Sequence, residues 1–227
     1  MRPLYLHGLP GSGAELSLAV QEIEVLDRNA PSFAQLALSL PSGPLHLIGF
    51  SLGAACALRL AALAPEKIAK LTLMSAAAPL ELGDFLQDMA GAQVFRAARS
   101  HAQLSALTAV QSTLARVSPG MMARMLARGT GLDETQLITS AGVKRALAEG
   151  LTTHKQIYLR ELSAYVLPWA HHLPLVHCPV TLIHGAKDRW APLAMAKALH
   201  RALPHSSLTI QAECGHYGCL KRSLERL

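Results

Sequence analysis

The sequence predicts an α/β fold in which a mostly parallel, doubly wound sheet of about six strands is flanked by helices and carries a helical insertion. Three observations lead to this prediction. Short apolar runs bounded by Gly, Pro or Asp recur along the chain, helical segments separate several of them, and one long stretch contains no convincing strand. Ala and Leu dominate while aromatic residues make up only 4%, which favours helices over an all-β sandwich.

The strand-like runs share a short apolar core between turn-forming residues, and they lie at residues 3–6, 22–27, 45–49, 68–75, 180–184 and 207–213. The helical stretches between them lie at residues 32–40, 52–64 and 192–203. Strands that alternate with helices in this way are connected by crossovers and pair in parallel.

The stretch 79–172 differs from the rest because its apolar spacing is helical, at residues 85–101, 121–128 and 143–151. The sequence therefore predicts an α/β core formed by residues 1–78 and 173–227. Residues 79–172 are predicted to form a helical cap that lies over this core.

Composition limits the class of protein. The chain has 227 residues, of which 51% are hydrophobic and 16% charged, enough for a sizeable core and incompatible with general disorder. No membrane span is expected, because charged side chains interrupt the most hydrophobic region, 54–73, at Arg59, Glu66, Lys67 and Lys70.

The formal net charge of +6 is spread along the chain without a Lys/Arg block, and no motif accompanies it, so no nucleic-acid partner is predicted. The apolar run 4–6 follows the first three residues directly, which leaves no room for a signal peptide. The cysteines lack CxxC spacing and are expected to be reduced thiols, at Cys56, Cys178, Cys214 and Cys219. The expected location is the cytoplasm.

Residues 49–53 read Gly-Phe-Ser-Leu-Gly and stand between the strand-like run 45–48 and the helical stretch 52–64. Glycines on both sides allow a tight strand-to-helix turn that exposes the central serine, as in a nucleophile elbow. Ser51 is therefore the candidate nucleophile. The alternative is a purely structural glycine-rich turn.

A serine hydroxyl needs a base to take its proton and an acid to orient that base. His216 follows the last predicted strand, and Asp188 follows the strand 180–184, so both lie where parallel strands place functional loops. Asp84 is the next candidate for the acid. The remaining histidines near these segments are interpreted as structural, at His171, His172, His200 and His205.

Acyl transfer also requires donors for the oxyanion. The backbone N–H of Leu52 at the start of a helix is one candidate, and the N–H of Leu9 in the glycine-rich loop 7–13 is the other. Taken alone, this loop could bind a phosphate instead, but it lacks the Lys-Ser/Thr ending of a P-loop and the GxGxxG spacing.

Together these motifs resemble the α/β-hydrolase superfamily, in particular small capped serine esterases such as carboxylesterases and pimeloyl-carrier-protein methyl esterases. The resemblance implies an α/β-hydrolase fold with a smaller sheet than usual, and an acyl-enzyme on Ser51. It further implies His216 as general base and then acid, Asp188 as its orienting carboxylate, and Leu9 and Leu52 as the oxyanion hole. It implies no metal and no organic cofactor.

The expected pocket lies between core and cap and is largely apolar, which suits carboxylic esters of small hydrophobic groups. Phe50, Met121 and Met125 are predicted to line it, although methionines at helical spacing are more often core residues. Arg124 and Arg128, one turn apart, permit docking of an acidic carrier protein, and solvated surface charges are the alternative.

Other reactions remain open at this stage. The same triad could serve C–C bond hydrolysis, thioester cleavage or acyl transfer, and a non-catalytic binding protein on this scaffold is a further alternative.

Overall fold

The computed structural model describes residues 1–227 and contains one six-stranded sheet with all neighbours parallel, in the order β2-β1-β3-β4-β5-β6. The strands are β1 (Arg2–Leu6), β2 (Glu24–Val25), β3 (Leu45–Phe50), β4 (Ile68–Met74), β5 (Val180–Gly185) and β6 (Ser206–Gln211). The predicted fold class is confirmed.

The helices follow the strands along the chain as α1 (Phe33–Leu38), α2 (Leu52–Leu63), α3 (Ala92–Ala97), α4 (His101–Val117), α5 (Pro119–Leu126), α6 (Leu132–Ile138), α7 (Ala141–Leu151), α8 (Lys155–Tyr165), α9 (Leu193–Ala202) and α10 (His216–Leu224). Three 3-10 helices lie at Gly13–Leu18, Leu80–Leu82 and Ala170–Leu175. No helix is both long enough and apolar enough to cross a membrane.

The central strands are apolar on both faces because helices cover both faces of a parallel sheet. On one face Leu47 and Leu71 pack with the Ala-rich helix α2, and on the other Ile48 and Met74 pack with Leu220 of α10. Side chains alternate along each strand, so adjacent residues such as 47 and 48 belong to the two different cores.

The chain between β4 and β5 forms helices α3 to α8 and no strand. It is joined to the sheet side of the molecule by buried or half-buried polar contacts. Ser12 Oγ donates to Glu149 Oε2 at 2.6 Å, and Tyr165 Oη donates to the Ala78 carbonyl at 2.6 Å. These contacts join helices α7 and α8 to the segments that follow β1 and β4.

Two predicted elements differ in extent. The strand predicted at 22–27 pairs only over Glu24–Val25. The helix predicted at 85–101 was wrong over residues 85–91, where Asp88 N–H bonds to the Phe85 carbonyl in a turn. A second helix begins separately at His101, because the Ser100 hydroxyl caps it by accepting from the Gln103 N–H.

Candidate active site

Ser51 stands at the junction of β3 and α2 with φ 55° and ψ −122°, outside the regions that non-glycine residues normally occupy. Its N–H donates to the Met74 carbonyl at 3.0 Å, and its own carbonyl accepts from Ala54 N–H at 3.1 Å. Such a conformation persists only where the surrounding structure enforces it, and it is concentrated at functional sites.

The glycines on either side of Ser51 are required by close packing. A Cβ on Gly49 would lie 2.6 Å from the Cα of Ala54, and one on Gly53 would overlap the carbonyl oxygens of Leu6 and His7. The start of α2 therefore sits directly against the end of β1. This packing brings the loop after β1 next to Ser51.

His216 and Asp188 meet at the same edge of the sheet. His216 is the first residue of α10, and Asp188 follows β5. The Nδ1 of His216 lies 2.7 Å from Oδ2 of Asp188, and both side chains are buried. Oδ1 of Asp188 accepts from the N–H groups of Trp190 at 2.9 Å and Ala191 at 3.0 Å, which fixes the carboxylate in place.

These contacts set the protonation of the pair. Burial alone would lower the pKa of His216, but the charge of Asp188 and its hydrogen bond outweigh burial and raise that pKa above its ordinary value. Burial would raise the pKa of Asp188, yet the facing imidazole holds it below its usual range. Asp188 is therefore ionised where His216 titrates.

Ser51 and His216 line one cavity, here called the first cavity, with about 410 Å³ of empty space. Seven of its 11 lining residues are hydrophobic, and Phe50 is one of them. No hydrogen bond joins Ser51 Oγ to the imidazole in this structure. Contacts of this kind commonly tighten only when substrate is bound.

Two backbone N–H groups beside Ser51 are free to donate hydrogen bonds to a negatively charged oxygen. Leu52 is the first residue of α2, so its N–H has no partner within the helix. In the loop after β1 the Gly8 N–H is occupied by Oε1 of Glu15 at 2.9 Å, whereas the Leu9 N–H makes no hydrogen bond. Leu9 also lines the first cavity together with Ser51, so its N–H is an available donor there.

Glu15 was not singled out from the sequence, and nothing in its local pattern marks it. The structure buries it fully under the loop after β1, where Tyr5 Oη donates to its Oε1 at 2.6 Å and Oε2 has no partner. Burial raises the pKa of Glu15 to about 7. Its bond to Gly8 makes it a support for the Leu9 loop.

Comparison with known proteins gives the family. A profile of the alpha/beta hydrolase fold matches residues 24–223 of the chain. This chain belongs to the α/β-hydrolase fold family. The resemblance expected from the sequence is therefore confirmed.

Three proteins similar to this α/β-hydrolase share 28%, 17% and 14% sequence identity with it. A pimeloyl-[acyl-carrier protein] methyl ester esterase of Nitrosomonas europaea is 28% identical over 213 residues, which cover 92% of this chain and 75% of that protein. A hydrolase from Oleispira antarctica has TM-score 0.64 at 14% identity, covering 97% of this chain and 85% of its own. A thermophilic esterase from Thermogutta terrifontis has TM-score 0.61 at 17% identity, with 97% and 84% covered.

A second cavity of the α/β-hydrolase has about 590 Å³ of empty space, and 12 of its 16 lining residues are hydrophobic. It contains Leu52 and extends beneath α3, α4 and α5, but it does not contain His216. The two cavities meet at Ser51, where Trp190 and Leu126 line both. Trp190 follows Asp188 by two residues, and this proximity could have identified it from the sequence as a cavity-lining residue.

The predicted methionine lining requires correction. Met121 and Met125 are 55% and 48% exposed and line neither cavity, whereas Met122 is buried and lines the second. Residues four apart share a helix face, so α5 has two apolar stripes, and the stripe that contains Met122 and Leu126 faces inward. The helix itself was predicted, but its buried face carries Met122 and Leu126 and not Met121 and Met125.

Arg124 and Arg128 are both exposed. Exposure is expected both for docking of an acidic carrier protein and for solvated surface charges. Arg124 lies in the last turn of α5, while Arg128 follows the end of that helix, so they do not share one helix face. Neither makes an ion pair within the chain.

Proposed function

We propose that this α/β-hydrolase cleaves carboxylic esters of small, largely hydrophobic groups through an acyl-enzyme on Ser51. The observation that carries the proposal is the 2.7 Å contact of His216 with Asp188 beside a serine held in a constrained elbow within an apolar cavity. In this role His216 takes the proton of Ser51 Oγ as the oxygen attacks the ester carbonyl.

The free N–H groups of Leu9 and Leu52 form the oxyanion hole in this mechanism. Asp188, ionised and held by two backbone N–H groups, keeps Nδ1 of His216 protonated so that Nε2 is the base. His216 then returns its proton to the departing alkoxide. Water attacks the acyl-enzyme in a second cycle of the same steps.

The positions of the two cavities support an assignment of the two halves of the ester. The leaving oxygen must receive its proton from His216, so the alcohol occupies the first cavity, which His216 lines. The acyl group then occupies the second cavity, beside Leu52. Residues 79–172 serve as the cap that covers the acyl group and excludes water from it.

Intact-protein mass after treatment with a fluorophosphonate tests this proposal. Wild type should gain one adduct, while folded Ser51→Ala and His216→Ala should gain none or gain it far more slowly. An ester panel of increasing acyl length, with thioesters and C–C bonded diketones in parallel, then identifies the reaction. Absence of an adduct on folded wild type would contradict the mechanism.

A methyl ester carried on an acidic carrier protein is a second, narrower candidate substrate. It is favoured by the 28% identical pimeloyl-[acyl-carrier protein] methyl ester esterase and by the unpaired, exposed Arg124 and Arg128 near the cavities. The carrier-linked ester should be cleaved with a higher kcat/KM than the free methyl ester, and Arg124→Ala should reduce only that advantage. Equal kcat/KM values for both esters would remove this candidate.

A further inference from the structure

Helix α10, which begins with His216, has no N-terminal cap of its own. The first N–H groups of a helix lack intrahelical partners, and a Ser, Thr, Asp or Asn side chain at the preceding residue usually accepts from them. Here that residue is Gly215, which has no side chain to do so. The acceptors for the start of α10 come from elsewhere in the fold.

They come from Glu134 in the first turn of α6. Its Oε1 accepts from the Tyr217 N–H at 2.6 Å, and its Oε2 accepts from the Gly218 N–H at 3.0 Å. The Glu134 residue is only 8% exposed. Hydrogen bonds to a charged acceptor are shorter and stronger than neutral ones, and this carboxylate makes two of them in parallel.

Packed side chains connect Glu134 to the imidazole of His216. A Cβ on Gly215 would lie 2.6 Å from Oε2 of Glu134, so the glycine leaves the space that the carboxylate fills. Tyr217, whose N–H is bonded to Glu134, packs on Phe50 with ring centroids 5.4 Å apart, and Phe50 packs on His216 at 4.6 Å. Displacement of Glu134 would therefore shift the support of the His216 ring.

Glu134 also contributes charge at the base. Four charged or titratable groups act on His216, namely Asp188 after β5, Glu134 on α6, Glu15 beneath the loop after β1, and His184 on β5. Asp188 has the largest effect among the carboxylates, and Glu134 adds to it in the same direction.

We propose that Glu134 is a positioning residue that acts through the N–H groups of Tyr217 and Gly218 to hold His216 against Asp188. His216 can then act as the base only while α6 packs against α10. The helical insertion, residues 79–172, therefore helps to assemble the site that it covers. This inference rests on the proposed role of His216 as the base that activates Ser51.

The test compares Glu134→Gln with Asp133→Asn. Glutamine keeps an oxygen acceptor but loses the charge and one of the two acceptors, whereas Asp133 is the exposed neighbour on the same helix turn and makes no hydrogen bond to α10. The readouts are the rate constant of fluorophosphonate labelling across pH, and kcat and KM for one reactive ester. Urea unfolding checks that each variant is folded.

Glu134→Gln should label about tenfold more slowly than wild type at high pH. The acidic midpoint of its labelling rate against pH should fall by roughly half a pH unit. Loss of the Glu134 anion lowers the pKa of His216, so the neutral base persists to lower pH. The change should appear in kcat with KM preserved, and Asp133→Asn should match wild type. A merely structural role would not move the midpoint.

An unchanged midpoint in Glu134→Gln, or an equal effect of Asp133→Asn, would overturn the inference. If Glu134→Gln does not fold, Gly215→Ala tests the same contact by displacing the carboxylate, and wild-type labelling by that variant would also refute it. A folded wild type that does not label would instead contradict the proposed function itself, so the two failures are distinguishable.

Discussion

Glu161→Gln is expected to destabilise the fold more than Arg28→Met, although both substitutions break the same buried ion pair. Arg28 Nη1 lies 2.8 Å from Oε2 of Glu161, with side chains 0% and 4% exposed. If Arg28 is removed, Glu161 still has Arg160 Nη2 at 3.2 Å. If Glu161 is neutralised, the guanidinium keeps only neutral partners, among them the His7 carbonyl at 3.1 Å.

The magnitude follows from this asymmetry. Removing one partner of a buried ion pair leaves an uncompensated charge and costs about 3–5 kcal/mol of unfolding free energy, which is the range expected for Glu161→Gln. Arg28→Met should cost about 2 kcal/mol, because the remaining charge keeps an ionic partner and the flexible apolar chain fills the space. The double variant Arg28→Met/Glu161→Gln should cost less than the sum of the two single changes, because it leaves no unpaired buried charge at this pair.

Urea unfolding of the three variants measures these free energies, with circular dichroism and fluorescence followed together. Glu24→Gln is the matched control, because its partner Arg2 and Glu24 itself are each about half exposed, and the midpoint should stay at the wild-type value. A larger loss for Arg28→Met than for Glu161→Gln, or strict additivity in the double variant, would refute this reasoning.

Four further outcomes are expected. Asp188→Asn should keep the fold and label with fluorophosphonate about 10³- to 10⁴-fold more slowly, and a loss below tenfold would place the orienting acid elsewhere. Gly53→Ala should abolish labelling and lower the urea midpoint, because its Cβ overlaps the end of β1; wild-type labelling would contradict the packing argument. kcat/KM should fall as the pH is lowered through a midpoint above 6.5, because the pKa of His216 is raised above that value and the base becomes protonated there. An acidic midpoint below 6.5 would show that another group titrates. Met122→Ala should extend the second cavity and raise relative activity on longer acyl esters, while the exposed Met121→Ala should not; equal chain-length profiles for the two variants would remove Met122 from the acyl pocket.

Local sequence patterns gave the most detailed predictions about the site. The elbow around Ser51 depends on residues within two positions of it, lying between a strand and a helix that are themselves strongly patterned. Asp188 and His216 could be predicted because parallel strands end at one edge of the sheet, so the loops after β5 and β6 must meet there.

Long-range packing explains the residues that the sequence did not reveal. Helix α5 carries two apolar stripes, and the choice between Met121 and Met122 depends on how α5 packs against the neighbouring helices. Glu15 and Glu134 have the local pattern of solvated charges. Their burial depends on backbone N–H groups that the fold brings to them, Gly8 for one and the start of α10, more than eighty residues away, for the other.

The meeting of the two cavities at Ser51 also bears on the fate of the proposed acyl-enzyme. In the proposed mechanism the second nucleophile approaches through the first cavity, since His216, which takes its proton, lines that cavity. That space is lined mainly by hydrophobic residues, so we expect an added short-chain alcohol to compete with water there and to leave as a new ester. We therefore expect the residues that select the leaving group also to set the ratio of hydrolysis to alcoholysis, so that a single substitution at Ile138 or Leu147 alters both.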